Sequence, residues 1–314
     1  MALFSVFSRS VIAEPRVRMR QVMRWAARVT HDVQRFWPHA QAVIPNYLQL
    51  SPSLGAGEVA LVGSGPGGVE LLTMAAFQML NQADVVVYDR LVSDEILQLI
   101  PANIDTVCVG KAASFHSVPQ SRINEILIER AQRGQRVVRL KGGDSFIFGR
   151  GGEELEQLAK AGVIFRVIPG ITAASGCTSY AGIPLTHRDY AQAVTFVTGH
   201  CQHNGQPPDW HSLVASNHTL VVYMGRLSAT SIQQALLAQG MSEQMPVAVI
   251  ENGTRSDQRI FSGTLIQLAK LAEHAASPAL LVVGEVVRLH QTLDWFNTAA
   301  QKIPQATQLS QFDN

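Results

Sequence analysis

From Gly57 onward the chain alternates short apolar runs with longer stretches whose apolar residues recur at helical spacing. The runs Val59–Val62, Val85–Tyr88, Thr106–Val109, Val137–Leu140 and Ile164–Ile168 are rich in Val and Ile, the composition of buried strands. Between most of them lie helix-like stretches, among them Val69–Gln82, Gln120–Arg133 and Glu153–Ala161. Strand and helix in alternation predict a largely parallel sheet with covering helices. After a loop at Pro184–Tyr190 a second set of runs begins: Val194–Thr198, Thr219–Tyr223, Val247–Glu251, Gln258–Ser262 and Ala279–Val283. Helices are expected near Ser228–Ala238 and Leu265–His274. Gln258–Ser262 follows Val247–Glu251 so closely that a hairpin is expected, which makes this half a mixed sheet. No internal repeat interrupts the pattern.

Both ends depart from this texture. Residues 1–53 hold seven arginines (Arg9, Arg16, Arg18, Arg20, Arg24, Arg28, Arg35) against Glu14 and Asp32, and no lysine. Val17, Val22, Trp25 and Val29 recur at helical spacing, so Arg16–Phe36 reads as a basic amphipathic helix. An organellar leader, a helix docking on a membrane surface or partner, and an extension with no separate role all remain open. The h-region of a secretory signal is missing. The last residues, from Ala299, are polar and Gln-rich.

Composition narrows the class. With 314 residues, 46% hydrophobic and 16% charged, the chain is that of a globular protein long enough for two domains. A net charge of +1 argues against binding nucleic acid through bulk basicity. Cys108, Cys177 and Cys201 are far apart, so neither a zinc site nor a disulfide framework is indicated, and a reducing, cytoplasmic setting is expected. No metal is expected. No stretch approaches the ~18 uncharged apolar residues that span a bilayer. The longest, Ala279–Val287, is broken by Glu285 and reads as a core strand.

The most visible motif is Gly63-Ser-Gly-Pro-Gly-Gly68, fed by the strand Val59–Val62 and followed by a helical stretch. A strand delivering glycines to a helix start suits an anion or a cofactor edge. Gly63, Gly65 and Gly68 also satisfy G-x-G-x-x-G, and Asp84 or Asp89 lies near the distance of a ribose-binding acid. A nicotinamide or flavin enzyme and a tight turn without a ligand therefore both compete, and the glycines alone do not decide.

Further motifs do. Tyr88-Asp-Arg-Leu-Val-Ser93, Val109-Gly-Lys111, Arg139-Leu-Lys-Gly-Gly-Asp-Ser-Phe-Ile-Phe-Gly-Arg150, Pro169-Gly-Ile-Thr-Ala-Ala-Ser175 and Gly182-Ile-Pro-Leu-Thr-His-Arg-Asp189 follow in order. From about Gly57 to Phe296 the series resembles the uroporphyrinogen-III C-methyltransferases of the tetrapyrrole methylase family, and the C-terminal methylase part of sirohaem synthases. The resemblance implies the two-domain α/β fold of class III methyltransferases, with a parallel-rich N-terminal sheet, a mixed C-terminal sheet and the cofactor in the interdomain cleft. It divides the chain into a basic extension (1–53), an N-terminal methylase domain (54–188), a C-terminal methylase domain (189–298) and a tail (299–314). It implies a homodimer that uses S-adenosylmethionine, releases S-adenosylhomocysteine, and methylates C2 and C7 of uroporphyrinogen III to give precorrin-2 via precorrin-1. Sirohaem or cobalamin lies beyond. A later precorrin methyltransferase is the near alternative; a non-catalytic tetrapyrrole-binding role is a more distant one.

Carried over residue by residue, the resemblance assigns cofactor contacts to Pro66, Gly142, Gly143, Asp144, Ile147, Thr172, Ala173, Met224 and Gly253. It assigns a proton acceptor to Asp89 and a proton donor to Lys111. Two positions depart from the family pattern: Gly68 stands where an Asp is usual, and Ser145 where a Pro is usual. Asp89 ends a strand, where α/β sheets place ligand-contacting groups, and a helix N-cap or turn is its plainer role. Lys111 reads otherwise as an exposed lysine, and Asp144 as an Asx turn. Uroporphyrinogen carries eight carboxylates, so Arg90, Arg150, His187 and Arg188 are candidate substrate contacts, with solvated surface charge as the alternative for each.

Overall fold

The structure, a computed structural model, describes residues 53–110, 118–199, 208–214 and 217–296. The basic extension up to Pro52, Lys111, Cys201 and the polar tail lie outside the described residues. The described residues belong to one compact unit built on two five-stranded sheets.

The first sheet contains β1 (Val59–Gly63), β2 (Val85–Tyr88), β3 (Asp105–Cys108), β4 (Val137–Lys141) and β5 (Phe165–Ile168), in the order β3-β2-β4-β1-β5. Every pairing in it is parallel. β1 and β4 are buried along their whole length, as continuous apolar strands of a sheet covered on both faces must be. α1 (Met74–Gln82) packs on one face with α2 (Asp94–Leu97), burying Ala76, Met79, Leu80 and Ile96 against Ala60, Val62 and Leu140. α3 (Gln120–Gln132) and α4 (Gly151–Lys160) cover the other, burying Ile123, Leu127, Leu155 and Leu158 against Leu61, Val87 and Val137. Each fully buried Leu or Val there contributes roughly 1.5–3 kcal/mol.

A single helix over Val69–Gln82 is not what forms. Val69–Leu71 is a 3-10 turn, and α1 starts anew after Thr73, whose side chain accepts the Ala76 N–H at 3.1 Å. A threonine cap outweighs continuous spacing there.

α5 (Ala173–Tyr180) leads out of the first sheet, yet Ala174 and Cys177 pack with Val221, Ala248, Ile250 and Leu280 of the second. The second sheet holds β6 (Ala193–Thr198), β7 (His218–Tyr223), β8 (Pro246–Glu251), β9 (Arg259–Thr264) and β10 (Ala279–Val283), in the order β6-β7-β10-β8-β9. β6 and β7 are parallel; the remaining pairs are antiparallel, including the β8–β9 hairpin. α6 (Trp210–Leu213), α7 (Ala229–Ala238) and α8 (Leu268–His274) cover the face opposite α5, and α9 (His290–Leu293) follows β10. No helix among the described residues is long and apolar enough to cross a membrane.

Candidate active site

Three motif loops meet because β4, β1 and β5 are parallel neighbours whose carboxyl ends point the same way. Gly65 and Gly143 exchange backbone hydrogen bonds of 3.1 and 2.7 Å. Both adopt positive φ, +78° and +68°, which a residue with a side chain resists. A Cβ at Gly63 would lie 2.6 Å from the Gly170 nitrogen and 2.7 Å from the Gly143 carbonyl oxygen, so only glycine fits where the loops touch. Asp144 fastens the junction: one carboxylate oxygen accepts the Gly170 N–H at 3.0 Å, the other the Phe146 N–H at 2.9 Å. Its Asx turn and its reach to the next loop coexist.

The second sheet supplies the facing wall. The Tyr223 phenol at the end of β7 lies 2.6 Å from Thr172 Oγ1 and accepts the Ala174 N–H at 2.9 Å, joining β7 to the start of α5. Burial pushes this phenol above its usual range, so it keeps its proton at neutral pH. Beyond β8, Thr254 accepts the Gly68 N–H at 2.9 Å, and Arg255 donates to the Leu91 carbonyl at 3.2 Å. Met224, Asn252 and Thr254 all have positive φ, the bent backbone of loops that must turn toward the first sheet.

These walls enclose a cavity of about 520 Å³, within the range of small-molecule sites. Pro66, Gly142, Gly143, Asp144, Ile147, Thr172, Ala173, Met224 and Gly253 all line it, as do Asp89 and Arg150. Arg90, His187 and Arg188 are not among its lining residues. Arg90 is exposed and packs over Gly110, while His187 stacks on Tyr190 at 4.8 Å and lies 3.8 Å from Asp189. Arg150 is half exposed and pairs with Glu153 at 2.6 Å. Two further arginines line the cavity that the motifs did not single out, Arg226 and Arg255.

The sequence reading also missed a charged cluster on the inner wall. Asp89 pairs with Arg139 at 2.7 Å and with Lys141 at 3.4 Å. Behind them the Glu154 carboxylate takes Arg139 at 3.1 Å and Lys141 at 3.0 Å, and accepts from Gln120 Nε2 at 3.1 Å. Arg139 and Lys141 stand two apart on β4, hence on one face, and both are buried. Two charges in a strand otherwise built for the core were a legible signal of this cluster, because buried charges need partners.

The two departures have structural counterparts. A side chain at position 68 would come 2.7 Å from a Glu70 carboxylate oxygen, so Glu70 already fills the space beside Gly68. Ser145 is buried, and its hydroxyl has no hydrogen-bond partner among the described residues. Among those residues no group of His, Cys, Asp and Glu is arranged to hold a metal ion.

Residues 58–269 match the family of Tetrapyrrole (Corrin/Porphyrin) Methylases. Siroheme synthase 1 of Pectobacterium atrosepticum is 55% identical over 257 residues, covering 82% of this chain and 54% of that protein. Siroheme synthase 1 of Serratia proteamaculans is 58% identical over 245 residues, covering 78% and 52%. The chain thus spans about half the length of these curated relatives. A crystal structure of uroporphyrin-III C-methyl transferase from Thermus thermophilus, complexed with S-adenyl homocysteine, aligns with a TM-score of 0.65 at 38% identity, covering 74% of this chain and 99% of that one. A cobalt precorrin-4 methyltransferase shares the fold at 23% identity with a TM-score of 0.66.

Proposed function

This chain belongs to the tetrapyrrole (corrin/porphyrin) methylase family, and from that premise we propose that it transfers methyl groups from S-adenosylmethionine to two ring carbons of uroporphyrinogen III. The observation that carries the reading is one cavity lined by all nine cofactor positions together with Asp89. Its walls suit such a ligand. Backbone at Gly142, Gly143 and Ala173 can come close to a polar edge, and Ile147, Met224, Ile250 and Leu280 offer apolar surface to a flat one. The Thermus thermophilus protein, solved with S-adenyl homocysteine, supports the same choice of donor.

When bound, the donor supplies a methyl group on a sulfonium, which is already a good leaving group, so the protein's part is orientation and proton handling. The glycine loops and the Thr172–Ala173 turn would hold the donor's edge, and Tyr223 and Met224 would close the opposite side. As methyl joins a ring carbon the pyrrole gains positive charge, and a proton must then leave; Asp89, at the cavity wall, receives it. Lys111 is the proton donor by family resemblance. Arg150, Arg226 and Arg255, on the cavity lining, suit carboxylates of the substrate, and Arg90, His187 and Arg188, outside that lining, are kept as contacts by chemistry alone. The product is precorrin-2, formed via precorrin-1, on the way to sirohaem or cobalamin. The enzyme acts as a homodimer in the cytoplasm, a compartment that the unpaired Cys108 and Cys177 suit.

Purified protein mixed with S-adenosylmethionine and anaerobically prepared uroporphyrinogen III tests the reading. The expected result is a mass gain of two methyl groups. No methyl incorporation, with binding of NADH instead, overturns it in favour of the dinucleotide reading of the glycine loop.

A further inference from the structure

Asp89 is the only member of its charge cluster with substantial exposure: 28% of its side chain is accessible, against 5% for Lys141, 1% for Arg139 and none for Glu154. The cluster is layered. Asp89 follows β2 and lines the cavity, Arg139 and Lys141 reach the same wall from the adjacent strand β4, and Glu154, which does not line it, backs both from α4. The Arg139 guanidinium divides its donors: Nη2 reaches Asp89 and Glu154, Nε reaches Glu154, and Nη1 reaches the carbonyl oxygens of Val87 and Leu140. Gln120 of α3 adds a donor to Glu154. Two cations and two anions balance, and every member has partners.

Packing alone does not call for this arrangement. β4 is a central strand, and replacing a buried ion network by apolar residues of similar size is often neutral or stabilising. Breaking one member is different, because it leaves the others charged and unpaired. What the network does provide is a fixed direction for the one carboxylate that reaches the cavity. Arg139 takes one oxygen of Asp89 and Lys141 the other, so the carboxylate cannot rotate freely.

We propose that Glu154 is a positioning residue: it fixes Arg139 and Lys141 from inside the protein, and they in turn aim the Asp89 carboxylate at the cavity. The inference rests on the reading of Asp89 as the proton-handling group. It assigns no contact with the donor or the ring to Glu154.

A mutant cycle tests it. Glu154→Gln is expected to lower kcat roughly 10- to 100-fold, the scale of loss when a reacting group is held about 1 Å out of place. The dissociation constant for S-adenosylhomocysteine, read by calorimetry, should stay within about twofold, because the glycine loops are held by backbone hydrogen bonds and by Asp144, none of them made by the Glu154 side chain. In an Asp89→Asn background the same change should cost nothing further, since groups that act through one another are not additive. Lys141→Met, which puts an apolar chain of similar length at the cavity wall, should show the same pattern and decides the matter if Glu154→Gln does not fold. Losses that multiply in the Asp89→Asn background, or wild-type kcat in a folded variant, overturn the proposal. Wild-type turnover by Asp89→Asn itself overturns the reading of Asp89, a different failure and separately visible.

Discussion

Ser145 shows at the scale of one residue how a local departure from a family pattern can be read physically. Its hydroxyl is buried without a partner among the described residues, while its carbonyl accepts the Gly151 N–H at 3.1 Å and fixes the loop between β4 and α4. The loop depends on the backbone of this residue, and the hydroxyl adds only desolvation. Ser145→Ala should therefore raise stability by about 1 kcal/mol, seen as a melting temperature a few degrees higher. An unchanged or lower melting temperature would show that the hydroxyl has a partner. The motifs named Asp89, Pro66, Gly142 and Gly253, and all four line the cavity. They passed over Glu154 and Gln120, since a Glu and a Gln on amphipathic helices look like solvated surface. Only the fold turns α3 and α4 so that both side chains face β4.

At the scale of elements the strands were legible nearly residue for residue. Val85–Tyr88 and Ala279–Val283 form with the expected bounds, because β-branched runs between turn residues have few alternatives. α5 was not legible. Its sequence, AASGCTSY, starts with two alanines but continues through Ser, Gly, Cys, Thr and Ser, weak helix formers, and packing imposes the helix. Gly176 in it lies against Pro66 so closely that a Cβ would collide with the proline ring, a contact invisible in one dimension.

The amino ends of the first sheet are tied by two ion pairs, and they carry a pH prediction. Arg136 holds Asp84 at 2.6 Å, joining the starts of β4 and β2; Arg166 holds Glu58 at 2.5 Å, joining β5 to the start of β1. The hydrogen bonds from Arg136 lower the Asp84 carboxyl below its usual range. Burial works against the Glu58 carboxylate, but the hydrogen bonds from Arg166 and Gly55 outweigh it, so Glu58 is lowered too. Groups lowered in the folded state add stability above their unfolded values, about 4, and that stability is lost as pH falls through the folded values. The melting temperature should be flat from pH 7 to about 5 and fall below about 4. Asp84→Asn should make that acid decline shallower; an identical slope would show that this pair carries none of it.

In the whole molecule, local pattern gave neither strand order nor the meeting of the two sheets; only the family resemblance implied a cleft between them. The order β3-β2-β4-β1-β5 sets the glycine loop, the Gly142–Asp144 turn and the Pro169–Gly170 turn side by side, and the pairing of β10 with both β7 and β8 brings Met224 and Gly253, which follow those two strands, to the same cavity. These pairings join residues far apart in sequence, where local pattern carries no information. The glycine loop, taken alone, resembled a dinucleotide fingerprint. In the fold its glycines serve close backbone approach to two other loops.

Methylation at ring carbon is decided by the fate of the transferred methyl. With S-adenosylmethionine labelled with carbon-13 in its methyl group and uroporphyrinogen III as acceptor, the product's carbon-13 spectrum should show two new methyl resonances, on C2 and C7 of the macrocycle. Label on nitrogen or on a carboxylate oxygen, or no label in the tetrapyrrole, would contradict it.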